Sequence, residues 1–291
     1  MVFYLVGSKI SCTFVETLKH TPMLFPSLAP FSTLKEARER IGVSYLGGIN
    51  ISSKLMKNQK VSGHYTYIVY LAPASTSGFN VCSHSSPECR AGCLATSGRA
   101  LLELRGGLDR IQESRIRKTV ALNTNPSFFL GWLFAEITAA KAKAERDNFF
   151  FSVRLNGTSD VDYAKLYLNG KNVFETFPDV EFYDYTKDYS RFDNLPANYN
   201  LTFSYSGWNW DNCVKVLARG YNVATVFNFN KNQPLPTHYK GYTVINGDIT
   251  DLRIKEGNGI IVGLYWKKIA NKTLNEAVRY SQFCVQPYDL S

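Results

Sequence analysis

Short runs of apolar, β-branched and aromatic residues recur along the chain, and segments rich in Asn, Asp, Ser and Gly separate them. Seven of these runs predict strands, at Tyr65–Leu71, Phe149–Leu155, Val180–Tyr185, Leu201–Tyr205, Asn222–Phe227, Tyr242–Ile245 and Ile260–Tyr265. Segments of helical character lie between most of the runs. This alternation predicts an α/β fold with a mainly parallel sheet, curved into a partial or closed TIM-like barrel.

The connection between the first two predicted strands is unusual, because roughly seventy residues separate them where α/β units use about 2–6. It predicts a long helical insertion after the first strand. One helix is expected to begin at Pro126, with Asn125 as its N-cap, and to place Phe129, Leu133 and Ile137 on one apolar face. Another is expected to pass through Leu101, Leu104, Leu108 and Ile111.

Residues 1–50 are predicted to be an N-terminal leader or extension, with a short helix at Thr33–Arg40, and residues 51–291 to be the barrel-like domain. No basic segment precedes the apolar start Met1–Val6, so we expect a cytoplasmic rather than a secreted protein. The most apolar stretch, Phe128–Ala140, contains Glu136 and is shorter than the ~20 residues that span a bilayer. No membrane association is therefore expected.

The formal net charge of +9 favours an anionic small-molecule or nucleic-acid partner, although solubility alone also explains it. Six cysteines in a reducing compartment are expected to be thiols or metal ligands rather than disulfides. Cys12, Cys213 and Cys284 lie singly among apolar residues, as buried small hydrophobic side chains do. The chain has no Gly-rich phosphate loop, no Gly-x-Ser-x-Gly turn and no His-Glu-x-x-His helix, which disfavours nucleotide hydrolysis and zinc proteolysis.

The other three cysteines, Cys82, Cys89 and Cys93, lie within twelve residues directly after the first predicted strand. Ser86 and the Pro that follows it are typical of an N-cap and a first helical turn. Such a helix places Cys89 and Cys93 on one face, four residues apart, and Cys82 can fold back onto them. This spacing predicts that the three thiols form the functional centre.

Three interpretations of this cysteine group remain open. A 4Fe–4S iron–sulfur cluster with three cysteine ligands leaves one iron open to substrate or cofactor. A zinc site needs His84 as the fourth ligand, although Cys82 and His84 are closer in sequence than zinc ligands usually are. The third interpretation is a disulfide with one free thiol. The position after the first strand favours the iron–sulfur cluster.

Polar residues follow the other predicted strands, at the edge where parallel α/β folds bind ligands. Asp160, Asp184 and Lys187 are the candidate catalytic residues. The candidate substrate-binding residues are Arg154, Asn156, Ser159 and Asp248. Each of these residues can also be explained as ordinary turn or capping chemistry. Their shared position at one edge is the argument for a site.

Two further features allow nucleic-acid binding. A basic segment contains Arg105, Arg110, Arg115, Arg117 and Lys118. Glu113 is spaced to pair with its arginines, so an exposed salt-bridged helix face is the preferred interpretation. Trp208 and Trp210 follow a predicted strand and could stack on a base, although core packing is the simpler explanation.

Several segments together resemble the phage gene product eighty-eight family. They are Ser53–Leu55, Tyr70–Ala74, the three cysteines with Leu94 and Ser97–Arg99, Arg154–Asp160, Phe182–Lys187 and Gly247–Asp248. The resemblance covers most of residues 50–270 and implies a phage origin more than an activity. The chain is also similar in architecture to radical S-adenosylmethionine enzymes, which carry three cluster-binding cysteines after the first strand of a partial barrel. Those enzymes space their cysteines by three and two residues, whereas six and three intervene here, which puts the use of S-adenosylmethionine in doubt.

The leading hypothesis from the sequence is a phage-encoded iron–sulfur enzyme. The alternative is a zinc-stabilised protein that binds nucleic acid or acts in replication.

Overall fold

The computed structural model describes residues 31–49, 56, 59–60, 62–93, 110–254, 256–269 and 271–290. In this part of the chain, the seven helices are α1 Leu34–Ile41, α2 Pro87–Ala91, α3 Arg110–Thr124, α4 Pro126–Arg146, α5 Val173–Thr176, α6 Trp210–Ala218 and α7 Lys272–Arg279. The ten strands are β1 Gly47–Gly48, β2 His64–Val69, β3 Phe150–Arg154, β4 Glu181–Thr186, β5 Tyr199–Ser204, β6 Val223–Phe227, β7 His238–Tyr239, β8 Tyr242–Asn246, β9 Ile261–Tyr265 and β10 Cys284–Val285. Single 3₁₀ turns lie at Tyr163–Lys165, Tyr189–Phe192 and Pro287–Leu290.

The strands form one mainly parallel sheet in the order β1-β2-β3-β4-β5-β6-β9-β8-β7. Strands β2 to β6 lie side by side in chain order and are all parallel, and β9 is inserted between β6 and β8. All seven predicted strands and the parallel α/β class are confirmed. The path of pairing runs from β1 to β7 without closing, so a closed TIM barrel is not confirmed and the sheet of the described residues is open.

The long connection after β2 contains α2, α3 and α4, as the sequence predicts. Asn125 caps α4 by accepting a hydrogen bond from the Phe128 amide at 2.9 Å, and Pro126 is the first helical residue. Residue Ile111 lies in α3, whereas Leu101, Leu104 and Leu108 lie outside the described residues. No helix of the described ranges is both long and apolar enough to cross a bilayer.

The main core lies between the sheet and the helices on its outer face. Val153 of β3, Phe182 of β4 and Phe203 of β5 are fully buried there against Trp132 of α4. Because side chains alternate along a strand, Tyr183 and Tyr185 of β4 point to the opposite, concave face. The face that packs against the helices is mainly apolar, although Glu136 of α4 and Asp184 of β4 are buried on the same side.

Part of the predicted leader belongs to this core. Ala37 and Ile41 of α1 are completely buried, and β1 pairs antiparallel with β2. Residues 34–48 thus pack on the sheet, while residues 1–30 lie outside the described part of the chain. The boundary near residue 50 stays a prediction.

Candidate functional site

The cysteine-bearing loop, residues 70–93, crosses the carboxyl edge of the sheet. Near its start, the Thr158 hydroxyl donates to the Leu71 carbonyl at 2.6 Å. Further along, the Asp160 amide donates to the Val81 carbonyl at 2.8 Å. At the end of α2, a Cβ added to Gly92 would lie 3.1 Å from Val278 of α7. The loop therefore reaches from the end of β2, past the end of β3, to the helix that follows β9.

Two thiols of this loop lie beside one ammonium group. Lys187, which follows β4 and is half-buried, donates a hydrogen bond to the Cys89 thiol and interacts electrostatically with Cys82. The Cys82 sulfur accepts a hydrogen bond from the Ala74 amide at 3.3 Å. Burial raises the pKa of Cys82 to about 11, and the neighbouring Cys93 and Cys89 thiols raise it as well. Cys82 and Cys89 therefore lie beside Lys187 at the carboxyl edge, and Cys93 is near enough to Cys82 to influence its pKa. A joint role of the three thiols stays a prediction.

The cysteine helix begins as the sequence predicts. The Ser86 hydroxyl accepts a hydrogen bond from the Cys89 amide at 3.1 Å, and Pro87 is the first residue of α2. Cys89 consequently lies in the first helical turn. Cys93 lies just after the end of α2, so only Cys89 belongs to the helix itself.

The described residues contain no group of three or more His, Cys, Asp or Glu side chains in the arrangement of a metal site. The His84 imidazole lies apart from the thiol group, with its Nδ1 atom 3.0 Å from the Ser83 hydroxyl and 3.7 Å from an Asp188 carboxylate oxygen. The five cysteines of the described ranges are free thiols, with Cys213 and Cys284 buried as predicted. Cys12 lies outside those ranges.

Asp160 connects the thiol group to the sheet. Its carboxylate accepts a hydrogen bond from the Lys187 amide at 2.9 Å and pairs with the Arg191 guanidinium. The Arg191 side chain is almost fully buried and donates its second terminal nitrogen to the Tyr199 hydroxyl at 2.6 Å. Two sequence-predicted residues, Asp160 and Lys187, therefore lie together, and Arg191 fixes them from behind.

Asp184 continues this network into the interior. It accepts hydrogen bonds from the Asn156 amide at 2.8 Å, the Asn156 side chain at 3.1 Å and the Tyr199 hydroxyl at 3.0 Å. Burial raises its pKa to about 6, although Arg154 and Arg191 act in the opposite direction. Because its side chain has no exposed surface, Asp184 in this arrangement positions Asn156 and Tyr199 rather than contacting a substrate.

The other predicted substrate-binding residues separate into two groups. Ser159 donates to the Asn156 side chain at 2.8 Å, which is capping chemistry within the turn after β3. Arg154 points to the concave face and pairs with Asp251 at 2.9 Å. Asp248 lies away from this network at the ends of β8 and β9, where it accepts the Tyr265 amide at 2.9 Å and pairs with Lys267 at 3.1 Å.

A buried arginine that sequence reasoning missed fills the concave face. Arg253, from the loop between β8 and β9, donates to the Tyr185 hydroxyl at 2.5 Å and to the Thr250 carbonyl at 2.7 Å. It also pairs with Glu256. Arg191 and Tyr199 were missed as well, since nothing in their local sequence distinguishes them from surface and core residues. Only their distant partners reveal their role.

The two candidate nucleic-acid features are the basic segment of α3 and the tryptophans Trp208 and Trp210. Arg117 pairs with Glu113 at 2.6 Å on α3, the salt-bridged arrangement that the spacing predicts. Arg105 lies outside the described residues. Trp210 packs in the core against Tyr205 with ring centroids 5.8 Å apart, whereas Trp208 is 71% exposed.

Comparisons with known proteins give one match. No curated protein and no solved structure is significantly similar to the chain, and the looser similarity to radical S-adenosylmethionine enzymes finds no support. Residues 48–286 match the model of the family described as Gene product 88. This segment includes the cysteine loop and every strand from β2 to β10. The chain therefore belongs to the phage Gene product 88 family.

Proposed function

We propose that this phage protein is an iron–sulfur enzyme in which Cys82, Cys89 and Cys93 hold the cluster and Lys187 binds the substrate beside it. The observation that supports the proposal is the placement of Cys82 and Cys89 beside the Lys187 ammonium group, with Cys93 close to Cys82, at the carboxyl edge of a parallel sheet. Ligands of open α/β sheets bind at this edge. The core needs no thiol there, because Cys82, Cys89 and Cys93 are all partly exposed.

The donor set fits a cluster better than it fits zinc. Three cysteine ligands hold a 4Fe–4S cluster with one iron open, which supplies electron transfer or a binding position for substrate. A closed zinc site needs a fourth ligand, whereas a 4Fe–4S cluster can be held by three cysteines alone. Because the sulfur atoms do not have the arrangement of a metal site, Cys89 and Cys93 must turn towards Cys82. The short α2, with only five residues, allows such a local adjustment.

The protein's own residues give this edge its polarity. The backbone amide of Lys187 donates to Asp160, which fixes the base of the lysine side chain. The ammonium group at its end lies beside Cys89 and Cys82. Asp160 is fixed in turn by Arg191. An anionic substrate group can therefore be oriented by Lys187 without any movement of the strands. The predicted reducing cytoplasm would keep the cysteines available as ligands.

The test is anaerobic purification of the full-length protein, followed by a visible spectrum and by iron, sulfide and zinc analysis. We expect a brown protein with about four iron atoms per chain, as three-cysteine ligation of a 4Fe–4S cluster requires. Cys89→Ala should lose the iron, and Lys187→Met should keep it. The matched control is Cys213→Ala, which removes a buried thiol of α6 far from the loop and should leave the iron content unchanged. Stoichiometric zinc without iron would support the alternative, a zinc-stabilised nucleic-acid-binding protein, and an absence of both metals would overturn both.

A further inference from the structure

A surface beside the cysteine loop exposes two large aromatic side chains. Trp208, in the loop after β5, is 71% exposed, and Tyr280, at the end of α7, is 63% exposed. The loops that carry them touch, since a Cβ added to Gly207 would lie 3.0 Å from the backbone of Gln282 and of Phe283. Gly207 has a φ of +97°, a conformation that suits glycine and allows this close approach. Trp208 and Tyr280 thus belong to one continuous surface, called the aromatic rim below.

The sheet explains why these two loops meet. Strand β5 pairs with β6 only as far as Ser204 and Ala224, and β10 then takes the vacated side of β6, with Cys284 beside Val226. The loop after β5 and the loop before β10 therefore leave the sheet at the same point. Trp208 is held there on a short turn whose other tryptophan, Trp210, is half-buried and packs against Tyr205 and Tyr239.

Basic side chains lie on α7 and on the segment that precedes it. The Arg279 guanidinium lies over the Tyr280 ring at 5.7 Å and donates to Asn228 at 2.6 Å. Lys268 and Lys272 are exposed on the neighbouring segment and on the first turn of α7. The segment and the helix are joined because the Asn275 side chain of α7 accepts a hydrogen bond from the Ile269 amide at 3.0 Å. Glu276 on the same helix and Asp211, three residues after Trp208, are exposed acids of this surface.

The rim adjoins the candidate catalytic centre. Val278 of α7 contacts Gly92, and Trp266 lies 3.6 Å from the same added Cβ position. Gly92 is the neighbour of Cys93. The end of the cysteine helix α2 therefore packs against α7, the helix that leads to Tyr280.

We propose that the aromatic rim binds a single-stranded nucleic acid and presents it to the cysteine centre. Single-strand binding sites combine aromatic rings, on which bases stack, with cations that follow the phosphates. A single strand fits this surface better than a duplex, because only unpaired bases expose faces to Trp208 and Tyr280. The net charge of +9 agrees with a polyanionic ligand. This inference rests on the proposed function only where it names the strand as the substrate.

The experiment measures fluorescence anisotropy of labelled 20-nucleotide single strands of DNA and RNA, and of the matching duplex, with the full-length protein. We expect single strands to bind more tightly than the duplex. Trp208→Ala and Tyr280→Ala should each weaken binding by about 5- to 150-fold, the effect of losing one base-stacking contact. Lys268→Gln should reduce the slope of log K against log salt by about 0.7, as expected for one lost phosphate contact on a single strand.

The matched control is Phe150→Ala. Phe150 is as exposed as Trp208, at 71%, but begins β3 at the amino edge of the sheet. Its loss should leave binding unchanged. Three results would each overturn the inference: equal binding by wild type and Trp208→Ala, equal binding of duplex and single strand, or no binding at low salt. The absence of binding at low salt is the result expected if the rim binds a protein instead.

Iron analysis of the same samples separates this inference from the proposed function. If an iron-free wild type binds the strand, the rim inference stands and the cluster proposal fails. Strand binding by Cys89→Ala would show that the rim binds the strand without the cluster. An iron-loaded protein without strand binding would overturn the rim inference alone.

Discussion

Replacing Glu136 by glutamine should destabilise the protein by about 1–4 kcal/mol, the sum of one buried donor left unpaired and of the ion pair with the partly exposed Arg38. Glu136 lies in the middle of α4 and is only 4% exposed. One of its oxygens accepts hydrogen bonds from Arg38 of α1, at 3.0 and 3.1 Å, and from the Trp132 indole at 3.0 Å. The other accepts the Tyr67 hydroxyl of β2 at 2.8 Å. This carboxylate therefore joins α1, α4 and the first long strand.

The magnitude follows from the donors that glutamine cannot satisfy. If its oxygen replaces the one facing Arg38, its NH₂ group faces the Gly47 amide, which now lies 3.1 Å from a Glu136 oxygen. The Tyr67 hydroxyl can rotate, but the backbone N–H cannot, so one buried donor loses its partner at about 1–3 kcal/mol. The lost charge of the Arg38 pair accounts for the remainder.

The assay is urea unfolding at pH 7 with Glu113→Gln as control. Glu113 also pairs with an arginine, Arg117 at 2.6 Å, but is 45% exposed, so its loss should cost less than about 1 kcal/mol. The reasoning is refuted if the two variants lose the same free energy of unfolding.

Three further changes test other parts of the structure. Burial lowers the pKa of Lys118 from 10.5 to about 7, so the unfolded chain holds this proton more tightly, and the stability of the wild type should rise as the pH increases from about 7 to 10.5. In urea unfolding, Lys118→Met should lack that rise. Identical pH profiles of the two proteins would contradict the burial argument. Gly157→Ala should lower the free energy of unfolding by about 1–3 kcal/mol, as overpacking does, because the added Cβ would lie 2.6 Å from the Tyr70 ring. An unchanged melting temperature would show that the ring moves freely. Tyr199→Phe removes the hydroxyl that donates to Asp184 and should cost about 1–3 kcal/mol, with a neutral result indicating that water replaces it.

The long strands could be predicted because their signal is local. Each is a run of β-branched and aromatic residues bounded by turn residues, and the structure moves their ends by only one or two positions. The two-residue strands could not be predicted. Gly47–Gly48 and Cys284–Val285 have no periodic pattern and become strands only because they pair with β2 and β6. Whether the sheet closes was equally inaccessible, since the number of strands does not determine which strand pairs at each edge.

The candidate site was predictable to the same extent. The sequence indicates which residues follow the strands, and in a parallel sheet these residues meet at one edge, so Asp160, Lys187 and the cysteines could be assigned to a common edge. It gives no indication of which polar group would be buried. Asp184 lost its expected contact with substrate because Tyr199, which begins the next strand, and Asn156 enclose its carboxylate.

Asp160 shows how the fold fixes the distance between the thiols and the ammonium group. Its backbone amide holds the cysteine loop through the Val81 carbonyl, while its side chain holds the backbone of Lys187. One residue at the end of β3 therefore positions both components, and Arg191 prevents its carboxylate from turning away. The cysteine loop needs no rigid structure of its own, because the sheet supplies the reference position. This explains how a five-residue helix with no buried side chain can still present Cys89 at a defined place beside Lys187.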